Sequence, residues 1–140
     1  MVTKQISVFI ENRKGRLGDI LDVLKSESVN ILSLSLADTE QYGLLRIISD
    51  KPCAGNELLV KAGFSSQLTD VFILKIPHEP GALQNILRVI SEEELNVEYM
   101  YGLSIGGEEA SLVVKTSCLE RADAAFSKHG IETLSYEQLS

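Results

Sequence analysis

Two short loops carry the residue types best suited to hold a small polar ligand. The first reads Glu11-Asn12-Arg13-Lys14-Gly15-Arg16-Leu17, the second Pro77-His78-Glu79-Pro80-Gly81-Ala82-Leu83. Asn12 and His78 each stand three residues before a glycine, Gly15 or Gly81. An amide or an imidazole can hydrogen-bond a polar ligand group. The glycine lets a ligand come close to the backbone. A helix beginning there aims N–H groups without intrahelical acceptors, and the positive end of its dipole, at an incoming carboxylate. The same residues also suit plain helix capping or a turn, and at this level both readings stand.

Catalytic chemistry has less support. The chain has two histidines and two cysteines, Cys53 and Cys118, with no Ser-His-Asp set and no Cys/His metal spacing. No nucleophile with its base is visible, so no catalytic residue, metal ligand or cofactor is expected. Each cysteine falls near the start of a helix and reads as a small buried hydrophobe. His129, just before Gly130, reads as a favourable cation at a helix end.

The elements that position the loops are written twice. Residues 10–31 recur at 76–97 without a gap, with Ile10/Ile76, Gly15/Gly81, Leu17/Leu83, Ile20/Ile86, Leu21/Leu87 and Asn30/Asn96 identical. A repeat of this kind means two copies of one unit. In the first copy Ile6, Val8 and Ile10 alternate with Gln5 and Ser7, which predicts a strand with one core face. Leu17, Ile20, Leu21 and Leu24 then follow helical spacing. Strands at 31–37 and 44–48, a helix at 56–62 stopped by Gly63, and a strand at 64–69 complete the copy. The second copy predicts strands at 71–76, 97–105, 110–116 and 131–136, with helices at 83–93 and 119–129. The four residues Val71–Leu74 are all apolar, so that strand is expected to be covered on both faces.

The order β-α-β-β-α-β, twice, predicts an α+β protein. It would consist of two ferredoxin-like sandwiches, residues 1–69 and 70–140, each an antiparallel sheet with its helices on one face. No Pro-, Ser- or Gly-rich linker separates them, so they are expected to pack together. Tyr99 and Tyr101 share one face of a strand where the first copy has Ser33 and Ser35. They serve either as a ligand wall or as ordinary packing.

The chain carries 13 basic and 20 acidic side chains, a net charge of −7. That balance argues against nucleic acid and anionic membrane as partners. No apolar run approaches the ~20 residues of a membrane span. The start has no signal-peptide core, and the cysteine usage fits a reducing compartment, so a cytoplasmic location is expected.

The Asn-x-x-Gly-x-Leu and His-x-Pro-Gly-x-Leu loops, with Asn30-Ile31 and Asn96-Val97 leading into the second strands, resemble a tandem pair of ACT domains. These are regulatory modules of amino-acid metabolism. The resemblance covers nearly the whole chain. It implies domains that associate side by side through edge strands and helices, with a small ligand, most often an amino acid, held where two of them meet. Carried over residue by residue, it implies a site built from Asn12, Gly15, Arg16 and Leu17, from His78, Gly81, Ala82 and Leu83, and from Asn30 and Asn96. Lys14 replaces the family's usual proline and His78 its common Asn or Asp, so the two loops need not be equivalent. The expectation is a stand-alone regulatory protein, a homodimer, acting on a partner enzyme. The alternative is an assembly module that binds no ligand.

Overall fold

The computed structural model describes residues 1–11, 13–38, 41–77, 79–103, 109–135 and 138. The first-copy elements are β1 (Thr3–Glu11), α1 (Arg16–Ser26), β2 (Ile31–Asp38), β3 (Tyr42–Ser49) and α2 (Pro52–Lys61). Next come β4 (Ser65–Pro77), α3 (Ala82–Glu92), β5 (Val97–Leu103), β6 (Glu109–Thr116), α4 (Leu119–Lys128) and β7 (Thr133–Leu134). The chain forms two compact units, one of Lys4–Thr69 and one of Asp70–Leu139 together with Met1–Thr3. Each is an α+β sandwich of the expected ferredoxin-like kind, with strand order β2-β3-β1-β4 in the first and β5-β6-β4-β7 in the second.

In the first unit, β1 and β3 pair antiparallel with Ile6 opposite Ile47 and Val8 opposite Leu45. Those side chains meet Ile20 and Leu24 of α1 and Leu59 of α2 in one apolar cluster. Gly55 lets α2 come close, since a Cβ there would stand 2.9 Å from Ile6 Cδ1 and 3.3 Å from Leu24 Cδ2. In the second unit Phe72, Leu74 and Ile76 of β4 meet Leu112 and Val114 of β6, Ile86 of α3, and Ala122 and Phe126 of α4. Fully burying one such side chain contributes roughly 1.5–3 kcal/mol.

Five features differ from the sequence reading, the first being that Cys53 and Cys118 are exposed rather than buried. The first-copy second helix starts at Pro52, earlier than residue 56, with proline at the helix start. Proline suits that position because its missing N–H would have no intrahelical acceptor. The strands expected at 64–69 and 71–76 are one continuous strand, Ser65–Pro77. Its residues Val71, Phe72, Ile73 and Leu74 are fully buried, as their all-apolar run predicts. The last strand spans two described residues, Thr133 and Leu134. Finally, Gln5 and Ser7 do not form a wet face: both are buried. Buried polar groups need partners; Gln5 Nε2 donates to Ser7 Oγ at 3.0 Å, and Ser7 Oγ lies 2.9 Å from Thr69 Oγ1.

Candidate functional site

Each unit has a cavity where its first strand meets its first helix. Gly15 caps the start of α1 at φ 87° and Gly81 the start of α3 at φ 89°. That left-handed backbone is what places a glycine in each loop. No heavy atom lies within 4 Å of where a Cβ on Gly15 would be, so a substitution there meets only backbone strain. Gly15→Ala should therefore destabilise by about 1 kcal/mol or more, whereas Gly18→Ala, inside α1 and facing open space, should stabilise by about 1 kcal/mol. Urea unfolding of the two variants checks the opposite signs.

The first cavity, about 160 Å³, is walled by Ile10, Leu17, Leu36 and the glycines Gly15, Gly18 and Gly43, with Glu11 and Arg13 also lining it. Arg13 Nε lies 2.8 Å from Glu11 Oε2 in an exposed ion pair. Gly43 keeps the cavity open: a Cβ there would sit 3.1 Å from Ile10 Cγ1 and 3.2 Å from Leu36 Cδ1. Arg16 does not line it. Its guanidinium lies over the Phe64 ring, 4.3 Å from the centroid, and 3.8 Å from Asp19.

The second cavity, about 410 Å³, is lined by Pro77, Glu79, Pro80, Gly81 and Ala82 of the loop, by Lys75, Asn85 and Ile86, and by the α4 end at His129, Gly130 and Ile131. Leu83 lies outside it and is 46% exposed. His129 Nε2 is 2.9 Å from Glu93 Oε1, and Lys128 Nζ donates to the same oxygen at 3.1 Å. The bond with His129, then that with Lys128, holds the Glu93 carboxyl below its ordinary value of 4.5. A carboxylate depressed in the folded state stabilises above its unfolded pKa, and that contribution is lost as pH falls through the folded value. Glu93→Gln should thus lower the urea midpoint at pH 7, and the gap to the parent protein should close as pH drops well below 4.5.

Asn12 and His78 lie outside the described residues. Asn30 stands at the far end of α1 from Gly15; eleven helical residues separate the two ends, about 16 Å at the usual rise. Its N–H donates to Asp50 Oδ1 at 2.8 Å and its carbonyl accepts the Asp50 N–H at 3.1 Å. There it lines a separate groove with Leu21, Lys25, Ser28, Val29 and Ile31. Asn96 likewise ties β5 to the end of β6, donating from Nδ2 to Ser117 Oγ at 2.6 Å. Tyr99 and Tyr101 stack at 6.5 Å, 13° apart. They alternate with Met100, which packs on the second core, so they project from the helix-free face, and neither lines the second cavity.

Of the residues expected in the site, Gly15 and Leu17 therefore line one cavity and Gly81 and Ala82 the other. The structure adds Glu11, Arg13, Gly18, Leu36 and Gly43 to the first, and Glu79, Asn85 and His129 to the second. Glu11 and Arg13 were legible as flanking charges in the loop; Leu36 and Gly43 carried no local signal. Among the described residues no group of three or more His, Cys, Asp or Glu side chains stands close enough to hold a metal ion. No helix among them is long and apolar enough to cross a membrane.

Two like sandwiches, each with a glycine-capped loop cavity, define a tandem regulatory fold. The chain belongs to the ACT domain pair family, whose profile matches residues 1–140. A solved protein of Bacteroides thetaiotaomicron is 32% identical, with a TM-score of 0.93, over 99% of this chain and 96% of that one. The regulatory subunit of aspartate kinase from Thermus thermophilus shares the fold at 14% identity and TM-score 0.65, over 91% and 90% of the two chains. That from Thermus flavus does so at 15% identity and TM-score 0.63, over 97% and 91%. Comparison with curated proteins gives no match.

Proposed function

We propose that the protein is a small-molecule-binding regulator, without a catalytic step of its own, whose ligand is an amino acid and whose target is a partner enzyme. Its domains are residues 1–69 and 70–140, and its place is the cytoplasm. The observation that carries this reading is the first loop cavity, apolar inside and bordered by one basic and one acidic side chain. Such a lining, mostly apolar with a few polar groups to orient the ligand, is the usual make-up of a small-molecule site. The Thermus proteins, named as regulatory subunits of aspartate kinase, suggest action on an enzyme in trans.

The placement of Asn30 favours a homodimer. The loop and Asn30 lie at opposite ends of α1, so they share a ligand only across two domains. β2 ends the strand order of its unit and exposes Leu34 and Leu36 by 43% and 47%. Two copies joined antiparallel along β2 set the loop of one beside Asn30 of the other, and Asn12 completes that site. The second loop supplies Gly81, Ala82, Leu83 and His78, with Asn96, to a second site of different chemistry. Tyr99 and Tyr101 face the remaining side.

A thermal-shift screen of the twenty amino acids tests the reading. A ligand at 100 times its dissociation constant stabilises by about 2.7 kcal/mol, a rise of several degrees. A hit weakened by Asn12→Ala or His78→Ala supports it. Silence at millimolar concentrations, with sedimentation still showing a dimer, transfers the function to the alternative, an assembly module that binds no ligand; the exposed Leu34 and Leu36 serve that equally.

A further inference from the structure

We infer that the two loops are not equivalent, and that the first cavity selects an α-amino acid with a short aliphatic side chain; this rests on the amino-acid reading above. The exposed pair Glu11–Arg13 presents one anion and one cation 2.8 Å apart at the cavity. A zwitterion carries the matching ammonium and carboxylate. Because both side chains of the pair are about 60% exposed, their mutual attraction is weak, and exchanging it for the two ligand charges costs little. Below the pair the walls are hydrocarbon: Ile10, Leu17 and Leu36. The volume of about 160 Å³ falls below the ~300–1,000 Å³ of drug-sized sites and below the second cavity's 410 Å³, which favours a short side chain over an aromatic or long charged one.

The second copy keeps Ile76 and Leu83 at the wall positions Ile10 and Leu17 but differs at the charged pair and at Gly18. In the gapless repeat Glu11, Arg13 and Gly18 become Pro77, Glu79 and Gln84. The basic member of the pair is replaced by an acid. Gln84 also leans over its glycine, with Oε1 3.7 Å from where a Cβ on Gly81 would stand, while the space around Gly15 and Gly18 is open to 4 Å. Gly18 lines the first cavity, and a glutamine there would lean over Gly15 as Gln84 leans over Gly81, which makes Gly18 the specificity-determining position.

Isothermal titration of the full chain tests this with L-valine, L-aspartate, L-lysine, L-phenylalanine, and two valine analogues, isobutylamine and isovalerate, that each lack one charge. L-valine is expected to bind most tightly, and each analogue at least tenfold more weakly. Arg13→Gln and Gly18→Gln are each expected to weaken L-valine at least tenfold, and Gln84→Gly to leave it unchanged. Arg13 and Gly18 are exposed, so both variants should keep the parent circular-dichroism spectrum. Tighter binding of aspartate, lysine or phenylalanine, or undiminished L-valine binding by Gly18→Gln, overturns this assignment and leaves the amino-acid reading standing. Absence of binding by all twenty amino acids overturns both.

Discussion

Phe126→Ala should cost the second unit about 3–5 kcal/mol, the usual range for removing a buried phenylalanine. Phe126 is 1% exposed and Phe72 fully buried. Their rings meet edge to face, 5.3 Å between centroids and 78° between planes. Such a pair adds roughly 0.5–1.5 kcal/mol beyond the area it buries. The ring on α4 is what fixes that helix over β4, so its loss leaves a void that Ala122 and Leu74 cannot fill without moving the helix. Phe126→Leu keeps most of the volume and should lose far less. Urea unfolding checks both, and a loss under 1 kcal/mol for Phe126→Ala would mean that α4 is not anchored by this ring.

Leu24→Ala should destabilise the first unit by about 2–5 kcal/mol, as buried leucine truncations do. Leu24 is fully buried on α1. Its Cδ2 would lie 3.3 Å from a Cβ on Gly55 of α2, so the leucine occupies the room that the glycine leaves. The two positions should be coupled. Gly55→Ala alone crowds Ile6 and Leu24 and should cost about 1–3 kcal/mol as overpacking. In the Leu24→Ala background the same methyl enters vacated space, and its cost should shrink or reverse. A double-mutant cycle measures this, with a coupling of about 0.5–3 kcal/mol expected for residues in contact; additive losses would contradict the contact.

Much of this architecture was legible because hydrophobic period switches between two and about 3.6 mark each element, and the repeat supplies every mark twice. Gly63 and Gly130 stop helices, as read, in left-handed backbone at φ 91° and 70°. The ACT resemblance, resting on loop and exit motifs, led to the family. Other features depend on partners distant in sequence. Pro52 reads locally as the end of a strand, yet its fixed φ also suits the first position of a helix. Gln5 and Ser7 look like a solvated face until the hydroxyl of Thr69 completes their bonds. Within the loops, sequence marks glycines well but not side-chain direction. Successive helical residues turn by about 100°, so Leu17 reaches the cavity while its neighbour Arg16 lies on Phe64. Leu36 and Gly43 join the site only through strand register.

The grouping of Met1–Thr3 with the second unit bears on how the chain acquires its structure. Thr3 Oγ1 donates to the carbonyl of Leu134 at 3.1 Å, a contact spanning 131 positions. A growing chain emerges at roughly 5–20 residues per second. The segment through Thr69 is therefore free to condense seconds before Leu134 exists. During that interval β1 is already held by its own unit while its leading residues wait for a partner. Loop closure over such a span is a slow, late event. Refolding from denaturant should accordingly show fast recovery of the first sheet, followed by a slower phase that Thr3→Val selectively perturbs.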